Sequence, residues 1–476
     1  MPDSRPLQLS PDAMRKFGHR VVDILVDHIE TLRDRPVSTQ KPRAELDAKI
    51  GGFSDAPASP EDVLSLTERE VMGAITTVDH PRFYAFVPGP GSFVGAMADA
   101  IASGFNVFAG HWLAASGPGA VELQTIDLLR QACGFPDGAG GLFVSGGSMA
   151  NLTALATARA VKLGGPDPQA MIYLSDQAHS SVAKGLRVLG FATSQVRTVA
   201  VDEKLRMDTR ALHKGIIEDQ QAGRRPFCIV ASAGTTNTGA VDPLDNIAAL
   251  CKANDIWLHV DGAYGAAAAL TERGRSALRG LHLADSIALD PHKWLFQPFE
   301  IGCVLVRDMR HLRQAFAVHP EDNAAYLADV GRMAEREVVF YEHGVQLTRS
   351  FRALKLWMSL RIFGLDAFRN TIDRGIALAE DVETMLRADP RWDVVTPAQL
   401  AVVTFAPRLG NRSVEECNSI VERAVERLTR DGYAMVTSTH VRGRTVLRFC
   451  LIHPDAQLEE VRETAERLAR YCERAR

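Results

Sequence analysis

The sequence predicts an α/β fold built on a largely parallel sheet, and three observations carry the prediction. Between residues 140 and 306, seven short apolar runs have strand character: 142–145, 171–175, 197–201, 227–232, 257–261, 285–289 and 302–306. Helical stretches at 149–162, 180–189, 209–221 and 244–253 separate most of them, and such alternation covers a parallel sheet with helices on both faces. The singled-out polar residues, Ser145 to Ser148, His179, Thr235, Asp261 and Lys293, fall at or just past the C-terminal ends of these runs. Open α/β sheets bind their ligands at that edge.

The rest of the chain surrounds this unit. Residues 1–80 read as a helical arm. Ser10-Pro11-Asp12 opens a helix by capping chemistry, and Phe17, Val21, Ile24, Leu25, Ile29 and Leu32 recur at helical spacing. The polar stretch 37–60 is a connector, and Ser59-Pro60-Glu61-Asp62 starts a further helix. These helices bury little on their own, so the expectation is an arm that packs on a second subunit. Residues 81–370 form the large domain, and 371–476 a smaller α+β domain with strand-like pieces at 394–396, 402–405 and 445–451.

Composition excludes several classes. At 476 residues with 46 % hydrophobic and 24 % charged content, the chain can bury a large core. A net charge of −4 argues against nucleic acid or an anionic membrane as a main partner. No apolar run has the length of a membrane helix, and the first residues lack a secretory signal. The seven cysteines are dispersed without a C-x-x-C pair. They predict reduced thiols in a cytoplasmic protein, with no disulfide frame and no metal site.

The chemistry centres on Asp290-Pro291-His292-Lys293-Trp294, directly after a strand. Burying an ammonium is costly unless the amine is used, and a lysine of this kind can condense with an aldehyde. Upstream, Asp261 in His259-Val260-Asp261-Gly262-Ala263-Tyr264 ends another strand. A carbonyl-binding lysine with a carboxylate for a pyridinium nitrogen is the protein's share of pyridoxal phosphate chemistry. Ser145-Gly146-Gly147-Ser148 lies between a strand and a helix, where small residues and free N–H groups suit a phosphate. His179 and His292 are placed to handle protons or a phosphate, and Thr235 to hydrogen-bond a ring substituent. Two aromatic, Pro- and Gly-rich segments, 80–91 and 104–112, read as shaped loops beside a site.

The ordered blocks Ser-Gly-Gly-Ser, Gln-Ala-His-Ser-Ser, Gly-Thr-Thr, His-Val-Asp-Gly-Ala-Tyr and Asp-Pro-His-Lys-Trp resemble the group II pyridoxal-phosphate-dependent amino-acid decarboxylases. Together with His80-Pro81-Arg82-Phe83-Tyr84 and the segment 349–357, they are most similar to the aromatic-L-amino-acid decarboxylase branch. The resemblance implies a fold-type I enzyme with a seven-stranded mostly parallel sheet, working as a homodimer with sites at the subunit interface. It implies that Lys293 binds the cofactor covalently, Asp261 pairs with its ring nitrogen and Ala263 lies beneath the ring. His179 would stack on the other face. Gly147, Ser148 and His292 would hold the phosphate, with Thr235 nearby. Phe83, Val87, Phe108 and Trp112 would shape the substrate pocket, partly from the partner chain. The expected reaction is loss of the α-carboxylate of an aromatic amino acid as CO2, giving the amine.

One departure leaves an alternative open. The family carries a loop tyrosine thought to return a proton to the α-carbon, and without gaps that position is Phe340, with Tyr341 next to it. A phenyl ring donates no proton. With Phe340 in the slot, the carbanionic state would meet oxygen and yield an aldehyde; a one-residue shift would put Tyr341 there and keep plain decarboxylation. A third reading is a catalytically silent protein of the same fold, against which the complete lysine, aspartate and histidine set argues.

Overall fold

The structure, a computed structural model, describes residues 7–317 and 337–474. Its centre is a seven-stranded sheet in the order β1-β7-β6-β5-β4-β2-β3. In chain order these are β1 (Gly140–Val144), β2 (Ala170–Ser175), β3 (Val196–Val199), β4 (Arg225–Ser232), β5 (Trp257–Asp261), β6 (Ser286–Leu289) and β7 (Gly302–Val306). All run the same way except β7, which pairs antiparallel with both β1 and β6. Strands buried on both faces must be apolar throughout, and every residue of β2, β5, β6 and β7 is buried. Gly302 begins β7 where a side chain has no room: a Cβ there would come within 2.4 Å of the Gly146 backbone.

A second, antiparallel sheet has the order β10-β11-β9-β8, formed by β8 (Trp392–Gln399), β9 (Val402–Pro407), β10 (Thr437–Val441) and β11 (Arg444–Cys450). The expected domain boundary at 370 falls inside one continuous helix, Leu365–Ala388. Its Phe368, Ile372 and Ile376 pack in the large core and its Leu378, Val382 and Leu386 in the small one. No proline interrupts this stretch, so the helix continues and the cores hand over along it. The boundary at 80 is also crossed. Tyr84 N–H donates to Met435 O at 2.8 Å, and Cys450 N–H to Tyr84 O at 3.0 Å. Residues 82–84 thereby add an edge to the small domain, which buries Phe83 and Tyr84 there.

The arm contains the helix Pro11–Thr31, capped by Ser10, and the helix Pro60–Leu66, capped by Ser59. The connector also carries a short helix, Arg43–Ile50, where no element was expected. Pairs Arg43–Asp47 (3.1 Å) and Lys49–Glu45 (2.8 Å) at i,i+4 stabilise it. Helix Pro11–Thr31 buries none of its residues within the chain.

His80 ties the arm to this edge. Its Nε2 donates to Arg35 O (3.2 Å) and its Nδ1 accepts from Arg82 N–H (2.9 Å), a pattern only the neutral ring can make. Burial pushes its pKa down to about 4. Below an unfolded value of about 6.5 the unfolded chain binds a proton that the folded ring refuses. Stability contributed by His80 is therefore complete above about pH 6.5 and drains as pH falls towards 4, by roughly 2–3 kcal/mol. Urea midpoints at pH 7.5 and pH 5 will differ less in His80→Gln than in the wild type.

Candidate active site

Five parallel strands end at one edge, and the loops leaving them enclose a cavity of about 300 Å³, a size at the lower end for small-molecule sites (roughly 300–1,000 Å³). From β1 come Ser145, Gly146, Gly147 and Ser148; from β2, Gln177 and His179; from β4, Thr235; from β5, Asp261 and Ala263; from β6, Asp290, His292 and Lys293. Lys293 sits on the turn after β6, its N–H bonded to Asp290 O at 3.0 Å. Its Nζ lies 3.0 Å from Asp290 Oδ2, and His292 Nε2 lies 3.6 Å from the same oxygen. Asp290 is 2 % exposed and its Oδ1 lacks a hydrogen-bond partner. Burial lowers the pKa of His292.

Asp261 is buried at the end of β5. Its Oδ2 accepts from Asn151 Nδ2 at 3.0 Å and its Oδ1 from Ala263 N–H at 3.1 Å. These two donors fix the orientation of its carboxyl group. His179 caps the helix Ser180–Val188, accepting from Ser181 N–H at Nδ1 (3.2 Å), and its ring is open to solvent in the single chain. Thr235 is buried, its hydroxyl 3.0 Å from that of Thr238.

These residues fit pyridoxal phosphate on their own chemistry. The helix Gly147–Leu163 points its N-terminus into the cavity, where unpaired N–H groups and the helix dipole favour a phosphate. Gly147 leaves a cradle: a Cβ there would stand 2.8 Å from Asp290 Oδ2 and 3.0 Å from Ala263 Cβ. An amine, Lys293, and a fixed carboxylate, Asp261, face the same space. Gly147→Ala will therefore weaken cofactor retention by roughly tenfold or more, about 1.4 kcal/mol, with the fold intact. Equilibrium dialysis against pyridoxal phosphate measures it.

Other expected residues lie elsewhere. Phe340 is 1 % exposed and packs with Leu142, Val144 and Leu312, its ring 4.9 Å beneath the Arg349 guanidinium. This apolar slot removes it from the cavity wall. Tyr341 is buried beside His111, ring centroids 6.1 Å apart. The earlier part of that loop, residues 325–336, lies outside the described residues. Phe83 packs with Val37 and Ala85 against the small domain, and Val87 against the large core. Phe108 packs over Gly110, 5.4 Å from the His111 ring, and Trp112 covers Gly119. None of these lines the cavity of its own chain. The 88–91 loop does abut it from behind: a Cβ on Gly89 would meet His292 O at 2.9 Å.

Sequence reasoning assigned no role to Asp290 or Asn151. Asp290 stands three residues before Lys293, the spacing of a turn, which was the available signal. Asn151 showed only as a polar residue one turn into a helix.

Residues 42–408 match the model of the pyridoxal-dependent decarboxylase conserved domain. An aromatic-L-amino-acid decarboxylase of Bacillus atrophaeus is 47 % identical over 96 % of this chain and 95 % of its own length. A phenylacetaldehyde synthase of Arabidopsis thaliana is 27 % identical over 96 % and 95 %. Among solved structures, Oryza sativa TDC with PLP and tryptamine superposes with a TM-score of 0.91 at 29 % identity, over 98 % of this chain and 99 % of that one.

Proposed function

Because the chain belongs to the pyridoxal-dependent decarboxylase family, we propose that it is a carboxy-lyase that removes the α-carboxylate of an aromatic L-amino acid as CO2 and releases the amine. The observation that carries this is the convergence of Lys293, Asp261, His179 and the Gly147 helix terminus on one cavity. When bound, pyridoxal phosphate supplies an electron-withdrawing ring that accepts the charge left on the α-carbon as CO2 departs.

The chain's own residues do the rest. Lys293 would hold the cofactor through its amine, and Asp290, 3.0 Å away, receives that amine as an ammonium whenever it is free. Asp261, fixed by Asn151 and Ala263, would keep a proton on the ring nitrogen. Gly147 and Ser148 at the helix terminus, with His292, would hold the phosphate, and Ala263 would lie under the ring. Thr235 offers a hydroxyl already oriented by Thr238. His179 stands at the mouth, able to hold a proton on the side of the cavity that opens to solvent.

Aromatic substrates are supported by the relative at 47 % identity, while the aldehyde synthase relative stands further off at 27 %. The aldehyde alternative rested on Phe340 taking a catalytic slot, and its ring lies in the core instead. Mass spectrometry of products across the L-amino acids, with dissolved oxygen followed, tests the reaction. One amine and one CO2 per aromatic substrate without oxygen uptake is the expected result; aldehyde, ammonia and peroxide would replace it with the alternative.

A homodimer is part of the same proposal. Helix Pro11–Thr31 has no buried residue, and Ile101, Phe105, Leu113, Val345 and Leu347 are exposed; a second subunit would cover apolar surface of this kind. The pocket aromatics that do not reach their own cavity, Phe108 and Trp112 above all, would then serve the partner's. Light scattering on the eluted protein will give about twice the 51.9 kDa of the chain. A cytoplasmic location, where thiols stay reduced, fits Cys133, Cys228, Cys251, Cys303, Cys417 and Cys450, which form no disulfide.

A further inference from the structure

Asp261 and His179 are joined along the cavity wall by the buried side chains of Asn151 and Ser181, and donor and acceptor chemistry sets the sense of their hydrogens. Asn151 is fully buried. Its Nδ2 is 3.0 Å from Asp261 Oδ2 and 3.1 Å from Ser181 Oγ, and its Oδ1 is 2.9 Å from His259 Nε2. His259, also fully buried, has its Nδ1 2.9 Å from Ser286 Oγ, and Trp257 Nε1 is 2.9 Å from that same oxygen.

The directions follow from donor and acceptor chemistry. A carboxylate only accepts, so the Asn151 NH2 faces Asp261 and its Oδ1 faces His259. An amide oxygen also only accepts, so His259 carries a proton on Nε2. Burial pushes the His259 pKa down to about 4; the ring is neutral at pH 7, its Nδ1 is bare, and Ser286 Oγ gives it a hydrogen while accepting from Trp257 Nε1. Ser181 Oγ then accepts from Asn151 and gives its hydrogen to His179 Nδ1, 2.8 Å away, where Ser181 N–H also arrives at 3.2 Å. With Nδ1 used as an acceptor, the His179 proton is on Nε2.

We propose that Asn151 is a positioning residue of the decarboxylation: it orients Asp261 and, through Ser181, fixes the tautomer in which His179 offers an Nε2–H to the cavity, with His259 and Ser286 holding its amide in that sense. An N–H at this mouth can donate a hydrogen bond to a substrate carboxylate; a bare nitrogen cannot. The inference rests on the decarboxylase reading and adds to it a cause for the state of its histidine.

The test uses the full chain loaded with pyridoxal phosphate, reading cofactor dissociation by dialysis and the pH profile of kcat. Ser181→Ala cuts only the hydroxyl link from Asn151 to His179 and leaves the longer backbone N–H contact at 3.2 Å. It is expected to keep the cofactor dissociation constant within about twofold, lower kcat by roughly tenfold with KM little changed, and move the acid limb of the profile by about half a pH unit. Asn151→Leu cuts both branches and is expected to raise the cofactor dissociation constant by roughly tenfold as well. His259→Phe should resemble Asn151→Leu, and His259→Gln, whose amide nitrogen can replace Nε2 as donor, should recover most of that loss. Profiles for Ser181→Ala and Asn151→Leu that superimpose on the wild type, with only thermal stability lowered, overturn the proposal. If Asn151→Leu does not fold, Ser181→Ala decides by the same criterion. Wild-type protein that forms no amine from any aromatic amino acid sinks the decarboxylase reading instead, and the dissociation constants still report on the chain of hydrogen bonds.

Discussion

Lys293→Ala will lose the visible absorbance of the loaded protein and at least roughly 10³-fold in turnover, about 4 kcal/mol at 1.4 kcal/mol per decade. The geometry makes this the largest expected effect on activity. Lys293 is the lysine lining the cavity, its side chain is 23 % exposed, and its ammonium rests on a carboxylate that is 2 % exposed. Covalent retention and proton traffic at the amine both depend on it. Lys293→Arg separates charge from chemistry. It keeps a cation for Asp290 and preserves stability, yet has no amine to condense with an aldehyde, so its activity should fall as far as that of Lys293→Ala. Equal folding with unequal activity between the two variants would show that charge, not covalency, is what the site needs.

Arg349→Leu will cost about 3–5 kcal/mol of stability, the largest expected effect on the fold. Arg349 and Glu122 form an ion pair in which both side chains are 1 % exposed. The guanidinium also donates to Phe143 O (2.8 Å) and Ala109 O (2.8 Å), while Glu122 Oε1 accepts Phe143 N–H at 3.1 Å. Removing the arginine leaves a carboxylate in the core with one remaining donor. The double variant Arg349→Leu with Glu122→Leu should recover more than half of the loss, because no charge is then stranded. Since Arg349 O also accepts Ala109 N–H (3.0 Å) and the guanidinium covers Phe340, the single variant loosens the 108–112 segment too. Chemical denaturation of the four proteins of this cycle measures both terms.

The parts of the molecule that were legible in the sequence are those governed by short-range rules. Strand–helix alternation located all seven strands of the large sheet, because the inner strands are buried on both faces and have to be apolar, and the connections carry the turns. The same rule put Lys293, Asp261, His179, Thr235 and Gly147 at one edge, and they do line one cavity. The helix Ser116–Ala132 was not foreseen: its start, Gly117-Pro118-Gly119, has loop composition, although a first turn tolerates proline.

What stayed hidden depends on contacts between distant segments. Phe83 looked like a pocket residue, but the small domain, more than 300 residues later, takes 82–84 as an edge. Phe340 aligned with a catalytic position, but its ring fills a hole among Leu142, Val144 and Leu312 under Arg349. Asn151 passed as an ordinary helix polar residue because nothing local shows that it faces Asp261, 110 positions on.

Borohydride reduction of the loaded protein, followed by peptide mass spectrometry, tests the central claim most directly. A phosphopyridoxyl group on the peptide that contains Lys293, and its absence from Lys293→Ala, is the predicted result. A group fixed to a different lysine, or no adduct in protein that still turns over substrate, would contradict the account.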